Sequence, residues 1–82
     1  MNFYTYILKS VYFNRFYYGH THNLYERLKI HNYGKVRSTK AFRPWIIHYY
    51  ESFSSRSEAY QRELFFKSAE GKLWLKQNSI IP

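Results

Sequence analysis

Tyr4, Tyr6, Tyr17, Tyr18, Tyr49 and Tyr50 fall in three short segments separated by polar or turn-forming residues. That distribution leaves a chain of 82 residues few architectures to choose from. Phe3-Tyr4-Thr5-Tyr6-Ile7-Leu8 is aromatic and branched, the composition of a strand, and its alternation puts Tyr4, Tyr6 and Leu8 on one face. After a polar break at Asn14-Arg15, Phe16-Tyr17-Tyr18-Gly19 reads as the return of a hairpin, which makes Tyr6 and Tyr17 near neighbours. Trp45 to Phe53 is apolar on both faces, so it is expected to be a third strand, central or covered.

Helix signals lie between and after these strands. Asn23 with Glu26 reads as the start of a helix, and Gly34 as its stop. Ser55 with Glu58 forms a capping box opening a helix through Lys67, and Ser68 caps a further short helix containing Leu73, Trp74 and Leu75. The expected order is β-β-α-β-α-α, an α+β fold in which a small three-stranded antiparallel sheet is flanked by helices. Residues 1–82 make one domain, with no repeat, linker or low-complexity tract.

Thirteen Lys and Arg against five acidic residues give a net charge of +8, spread along the chain rather than gathered in a tail. A polyanionic partner is the expectation, against the plainer reading of a positive surface that only confers solubility. Ten Tyr and seven Phe are expected mostly in the core, where their large areas replace missing aliphatic bulk; base stacking is the lesser reading. Without cysteine there is no disulfide and no thiolate zinc site, and His20, His22, His31 and His48 lack a familiar ligand spacing, so they read as polar surface. No apolar run nears the roughly 18 residues of a membrane span, and the N-terminus lacks the apolar core of a signal peptide, so a cytoplasmic location with no membrane partner is expected.

Three features sit awkwardly in a purely structural account. Leu24, Arg27, Leu28 and His31 form one helical stripe, and an arginine on such a side calls for an anionic partner. Glu63 points in the Ala59/Phe66 direction that should face the sheet; an i, i+4 ion pair with Lys67 or solvent exposure are its plainer explanations. Tyr33 to Arg43 reads as a mobile, irregular loop whose Lys35, Arg37, Lys40 and Arg43 are suited to grip backbone phosphates without reading bases.

Taken in order, Tyr4-Thr5-Tyr6, then Tyr17-Tyr18-Gly19, then Asn23 to Asn32 with Arg27 and His31 resemble the GIY-YIG nuclease domain. Thr39, Arg43-Pro44-Trp45, Tyr49-Tyr50-Glu51 and Ser57 to Glu63 extend the likeness to its small stand-alone branch, which is similar to the N-terminal nuclease domain of excinuclease C. Tyr4, Thr5 and Tyr18 depart from the family's motif at strand positions, and Asn78 is the sole, poorly matching, candidate for the late asparagine of some members.

The resemblance implies a metal-dependent endonuclease acting on DNA, structure-selective and linked to repair or recombination. It implies Glu63 as the ligand of one Mg²⁺ or Mn²⁺, and Arg27 as the group that meets charge growing on the phosphate. Tyr17 is the candidate general base, with Tyr6 positioning the attacking water or sharing its proton. His31 either relays a proton or binds phosphate, with capping of the helix end as the plainer role. Gly19 is expected to admit close backbone approach or an unusual dihedral. Phosphate contacts leave RNA open beside DNA, and specificity comes from DNA shape or a partner protein. The alternative is a binding module that keeps the fold without turnover, and a blander one is a domain that meets an acidic protein.

Overall fold

The structure is a computed structural model that describes residues 1–82. Strands β1 (Phe3–Ser10) and β2 (Phe16–Thr21) are followed by α1 (Leu24–Asn32), a 3-10 turn at Lys40–Phe42, β3 (Trp45–Phe53), α2 (Arg56–Lys67) and α3 (Ala69–Gln77). The sheet is antiparallel in the order β2-β1-β3, so the fold is the expected three-stranded α+β arrangement.

The local signals act where the sequence places them. Asn23 accepts from the Glu26 backbone N–H at 3.1 Å. Ser55 accepts from the Glu58 N–H while its hydroxyl donates to the Glu58 carboxylate. Such caps are worth about 1 kcal/mol each because they satisfy otherwise orphaned donors. At the end of α1, Gly34 takes φ +77°, its N–H bonds His31 O and the next N–H bonds Ile30 O. That pattern closes the helix in a conformation costly for any residue with a Cβ.

β1 is the central strand and β3 an edge, so of the two expectations for β3, central or covered, the first is corrected, while its residues do pack against both helical layers. The misleading pattern has a specific cause. Ile7 pairs with Tyr49 but Leu8 pairs with Ile47, so a bulge at His48 inserts one residue and flips the alternation. Trp45 and Ile47 therefore pack with Leu8 beneath α1, whereas Tyr49 packs with Ile7 beneath α2 and α3.

Each face of the sheet carries its own core. Tyr6, Leu8 and Trp45 meet Leu24 and Leu28 of α1 on one side. Ile7, Phe66 and Leu75 meet Tyr18, Trp74 and Ile80 on the other. Burying a side chain such as Ile7 or Leu75 contributes about 1.5–3 kcal/mol, and Phe66→Ala is expected to cost about 3–5 kcal/mol. The aromatic residues are less buried than expected, since Tyr6 and Phe66 are the only fully buried ones among the Tyr and Phe, and Tyr12, Tyr25, Tyr33 and Tyr50 are more than half exposed. Two thin layers over three strands cannot enclose so many large rings.

Candidate active site

Tyr6 stands at the centre of β1, opposite Gly19 of β2. A Cβ at Gly19 would overlap the Tyr6 hydroxyl and lie 2.6 Å from Cζ. Gly19 is thus required by the ring that crosses its Cα; of the two roles expected for it, close approach is the one the structure uses, and a positive φ occurs at Gly34 instead.

From Tyr6 a hydrogen-bond chain runs in one direction. The Thr39 hydroxyl donates to Val36 O at 3.3 Å, so Thr39 Oγ1 is free to accept from His31 Nδ1 at 2.8 Å. The opposite ring nitrogen, Nε2, then accepts from the Tyr6 hydroxyl at 3.1 Å, and the Tyr6 oxygen accepts from Arg27 Nε at 3.4 Å. The partners determine the tautomer: His31 is neutral with its proton on Nδ1. Tyr17, diagonal to Tyr6 across the hairpin, lies against the same ring, 4.8 Å from the His31 centroid and 6.4 Å from that of Tyr6.

Burial shapes the electrostatics. It pushes the Tyr6 phenol up to about 12, because the phenolate is penalised more than the Arg27 guanidinium beside it can offset. Burial and the Arg27 charge together bring His31 down to about 4. Arg27 is held above its ordinary value, chiefly by its hydrogen bond to Tyr6, and stays charged. No carboxylate pairs with it. Arg27 is thus a half-buried guanidinium with no carboxylate counter-ion.

Glu63 comes from the other layer, on the sheet-facing side of α2, and is 8% exposed. One carboxylate oxygen receives His20 Nδ1 and the other the Lys67 ammonium, each at 2.7 Å. The i, i+4 pair with Lys67 and the sheet-facing direction are therefore both true. Glu63 makes no hydrogen bond to Tyr6, Tyr17 or Arg27, but its charge is close enough to raise Tyr6, and the Tyr17 phenol is within charge range of Lys67. The two layers meet at the β2 edge.

No group of three His, Cys, Asp or Glu side chains converges anywhere in the chain. A cation that demands a full protein cage does not fit. One that keeps most of its water and takes a single carboxylate does fit Glu63, provided that Lys67, half exposed, swings aside.

The basic loop is irregular as expected apart from its 3-10 turn, and it is anchored: Thr39 is fully buried, its carbonyl receives the Trp45 indole N–H at 2.8 Å, and Asn32 brackets Trp45 with two bonds to its backbone. Lys35, Arg37, Lys40 and Arg43 are exposed around this frame, away from Glu63. Of the four histidines, His22 and His48 are exposed as expected, and the other two need correction. His31 is fully buried and His20 serves Glu63, so neither is polar surface. With both ring nitrogens engaged and no exposure, His31 makes no contact with solvent, and the structure places it behind Tyr6 as a hydrogen-bonding support. Sequence reasoning gave His20 no role beyond polar surface, quoted Thr39 only in the family likeness, and named Lys67 only as an ion-pair partner of Glu63. Asn78 caps α3 by donating to Trp74 O and has no place near these residues.

A recess of about 350 Å³ is lined by His20, Glu26, Arg27 and Arg56; of these, His20 reaches the Glu63 carboxylate. The largest recess, about 740 Å³ between α1 and β3, is mostly apolar and contains none of these groups. No helix is long and apolar enough to cross a membrane.

The GIY-YIG catalytic domain family matches residues 2–78. A UPF0213 protein of Staphylococcus haemolyticus is 42% identical over 74 residues, covering 89% of each chain. The UPF0213 protein YazA of Bacillus subtilis is 43% identical over 60 residues, 72% of this chain. The matched segment spans 61% of YazA and 59% of a similar UPF0213 protein from Bacillus licheniformis. The solution NMR structure of a UPF0213 protein from Bacillus halodurans shares the fold, with TM-score 0.54 and 31% identity over 94% of this chain and 84% of that one.

Proposed function

The chain belongs to the GIY-YIG catalytic domain family, and from that premise we propose that it is a divalent-metal-dependent endonuclease hydrolysing phosphodiester bonds in DNA, selective for structure rather than sequence. The observation that carries this reading is the Arg27 guanidinium, bonded to Tyr6 and paired with no carboxylate, in a fold whose other layer buries Glu63.

Each residue has a role its environment supports. Arg27 spends Nε on Tyr6 and keeps the rest of its donor fork for a phosphate, where it meets charge that grows as the bond to water forms. Tyr6 is too weak an acid to give up its proton, so it orients: its hydroxyl hydrogen is committed to His31 and its oxygen to Arg27. Tyr17, with Arg27 and Lys67 as cationic neighbours, takes the proton from the attacking water after its own phenolic proton has passed to solvent. His31 and Thr39 hold that tyrosine pair in place from behind. Glu63 would hold one Mg²⁺ or Mn²⁺, which when bound supplies Lewis acidity to the phosphate and the leaving 3′ oxygen. Lys35, Arg37, Lys40 and Arg43 contribute phosphate contacts that set affinity.

The test is nicking of supercoiled plasmid with and without Mg²⁺ or Mn²⁺, using the protein, Glu63→Ala and Tyr17→Phe. Metal-stimulated nicking that each substitution lowers at least about 100-fold is the expected result. Activity unchanged by either substitution removes the assignment.

One observation favours a second reading. Both Glu63 oxygens already carry cationic or hydrogen-bonding partners, as expected of a fold kept as a non-catalytic nucleic-acid clamp. Tight binding to duplex, flap and junction DNA, or to RNA, with no cleavage in any metal would establish it.

A further inference from the structure

The β1–β2 turn is built unlike an ordinary hairpin tip. Val11-Tyr12-Phe13 is apolar yet points outward, with Tyr12 77% and Phe13 48% exposed. It is not loose. The Phe13 N–H bonds Ser10 Oγ, whose hydroxyl donates to Phe42 O, and the Val11 N–H bonds Pro44 O. The Phe13 ring meets Phe42 edge-on at 5.3 Å, and the Arg15 guanidinium lies 4.4 Å over the other ring of that pair, Phe42. The tip is thus bolted to the basic loop: Arg15 lies against the aromatic pair, and exposed Lys40 and Arg43 come from the same loop as Phe42, their side chains lying toward Gly34.

The charge context is one-sided. Every acidic residue is Glu26, Glu51, Glu58, Glu63 or Glu70, so the hairpin and the loop both come from stretches with no acid. An exposed ring held rigidly among unopposed cations has the two parts of a single-strand-binding surface: a π-face for a base and charge for its phosphates. A purely duplex-tracking surface has no use for Tyr12, whose ring would face a backbone with no apolar group to cover it.

We infer that Tyr12 and Phe13 form a stacking platform for unpaired nucleotides, with Arg15, Lys40 and Arg43 binding the flanking phosphates, so that the preferred substrate carries a gap, flap or splayed end. This rests on the nucleic-acid part of the function proposed above and not on catalysis. Patch and candidate active site share their supports, since Tyr17 lies on the strand the tip leads into and Thr39 on the loop it packs against.

The experiment compares a gapped duplex with 2-aminopurine in the gap against the matching intact duplex, by anisotropy and 2-aminopurine emission, in EDTA so that nothing is cut. Tyr12→Ala is expected to weaken gapped-duplex binding about fivefold or more, abolish the change in 2-aminopurine emission, and leave the intact duplex within about twofold. Tyr12→Trp should restore both signals, which a merely structural role would not predict. Equal losses on both substrates, or no loss on either, overturn the platform. Vesicles rich in acidic lipid are a further arm, and Tyr12-dependent vesicle binding without preference for the gap assigns the tip to membranes and overturns it too. Loss of plasmid nicking as a property of the protein sinks catalysis while leaving this binding result standing; absence of binding to every nucleic acid sinks both.

Discussion

His31 makes the energetics of the tyrosine cluster measurable. Its pKa falls from 6.5 to about 4 in the folded protein, through burial and the Arg27 charge, while in the unfolded chain it titrates normally. Between those values the unfolded chain binds a proton that the native state refuses, so stability is full above pH 6.5 and is lost as pH falls toward 4. Two-state linkage with these values gives a loss of roughly 2 kcal/mol at pH 5 and about 3 kcal/mol at pH 4. With a urea dependence of about 1 kcal/mol per M for a domain this small, the unfolding midpoint should drop by about 2 M between pH 7.5 and 5. His31→Gln, which can still accept from Tyr6 and donate to Thr39, has no such group and should lose that excess slope. Equal pH dependence of the midpoint in the protein and in His31→Gln would refute the claim that a neutral, buried His31 anchors Tyr6. The same neutrality means that a nicking rate measured between pH 6 and 8 takes none of its pH dependence from His31.

Three further outcomes follow from the geometry already described. Gly19→Ala forces the Tyr6 ring off its site and is expected to cost about 1–3 kcal/mol in urea unfolding, with loss of nicking; a variant of unchanged stability refutes the close-approach account. Lys67→Met removes the ammonium that competes for Glu63, so Mn²⁺ affinity measured by paramagnetic resonance should rise a few-fold, the half-exposed pair being worth about 1 kcal/mol or less. Weaker Mn²⁺ binding would show that Lys67 supports the site instead. Replacing Lys35, Arg37, Lys40 and Arg43 together should lower the slope of log affinity against log salt by about 0.9 for each phosphate no longer neutralised, with no change in sequence preference.

Strand composition, caps and hydrophobic spacing are local properties, and they were legible. Asn23, Ser55 and Ser68 each cap the helix they precede, because a cap is a contact between residues three apart and needs no tertiary partner. The helical angle of Glu63 and the stripe shared by Arg27 and His31 were likewise readable from periodicity alone. The GIY-YIG likeness arose from the order and spacing of those same residues.

What the chain could not reveal by pattern depended on neighbours distant in sequence. A single bulge residue, His48, made an edge strand look central, since an alternation rule has no means of knowing where register slips. His20 is 43 positions from Glu63, and His31 reaches Tyr6 across 25; imidazole has no preferred spacing to a distant carboxylate or phenol, so only the packed layers bring them together. The loop from Tyr33 to Arg43 reads from its composition as mobile and irregular, yet the bond from the Trp45 indole to Thr39 O ties it to the core. Sequence by itself determined which residues were candidates, because charge on an apolar helix side is costly wherever the helix lies. The tertiary structure decided their states: burial keeps Tyr6 protonated and His31 neutral, and the packing brings no carboxylate to Arg27.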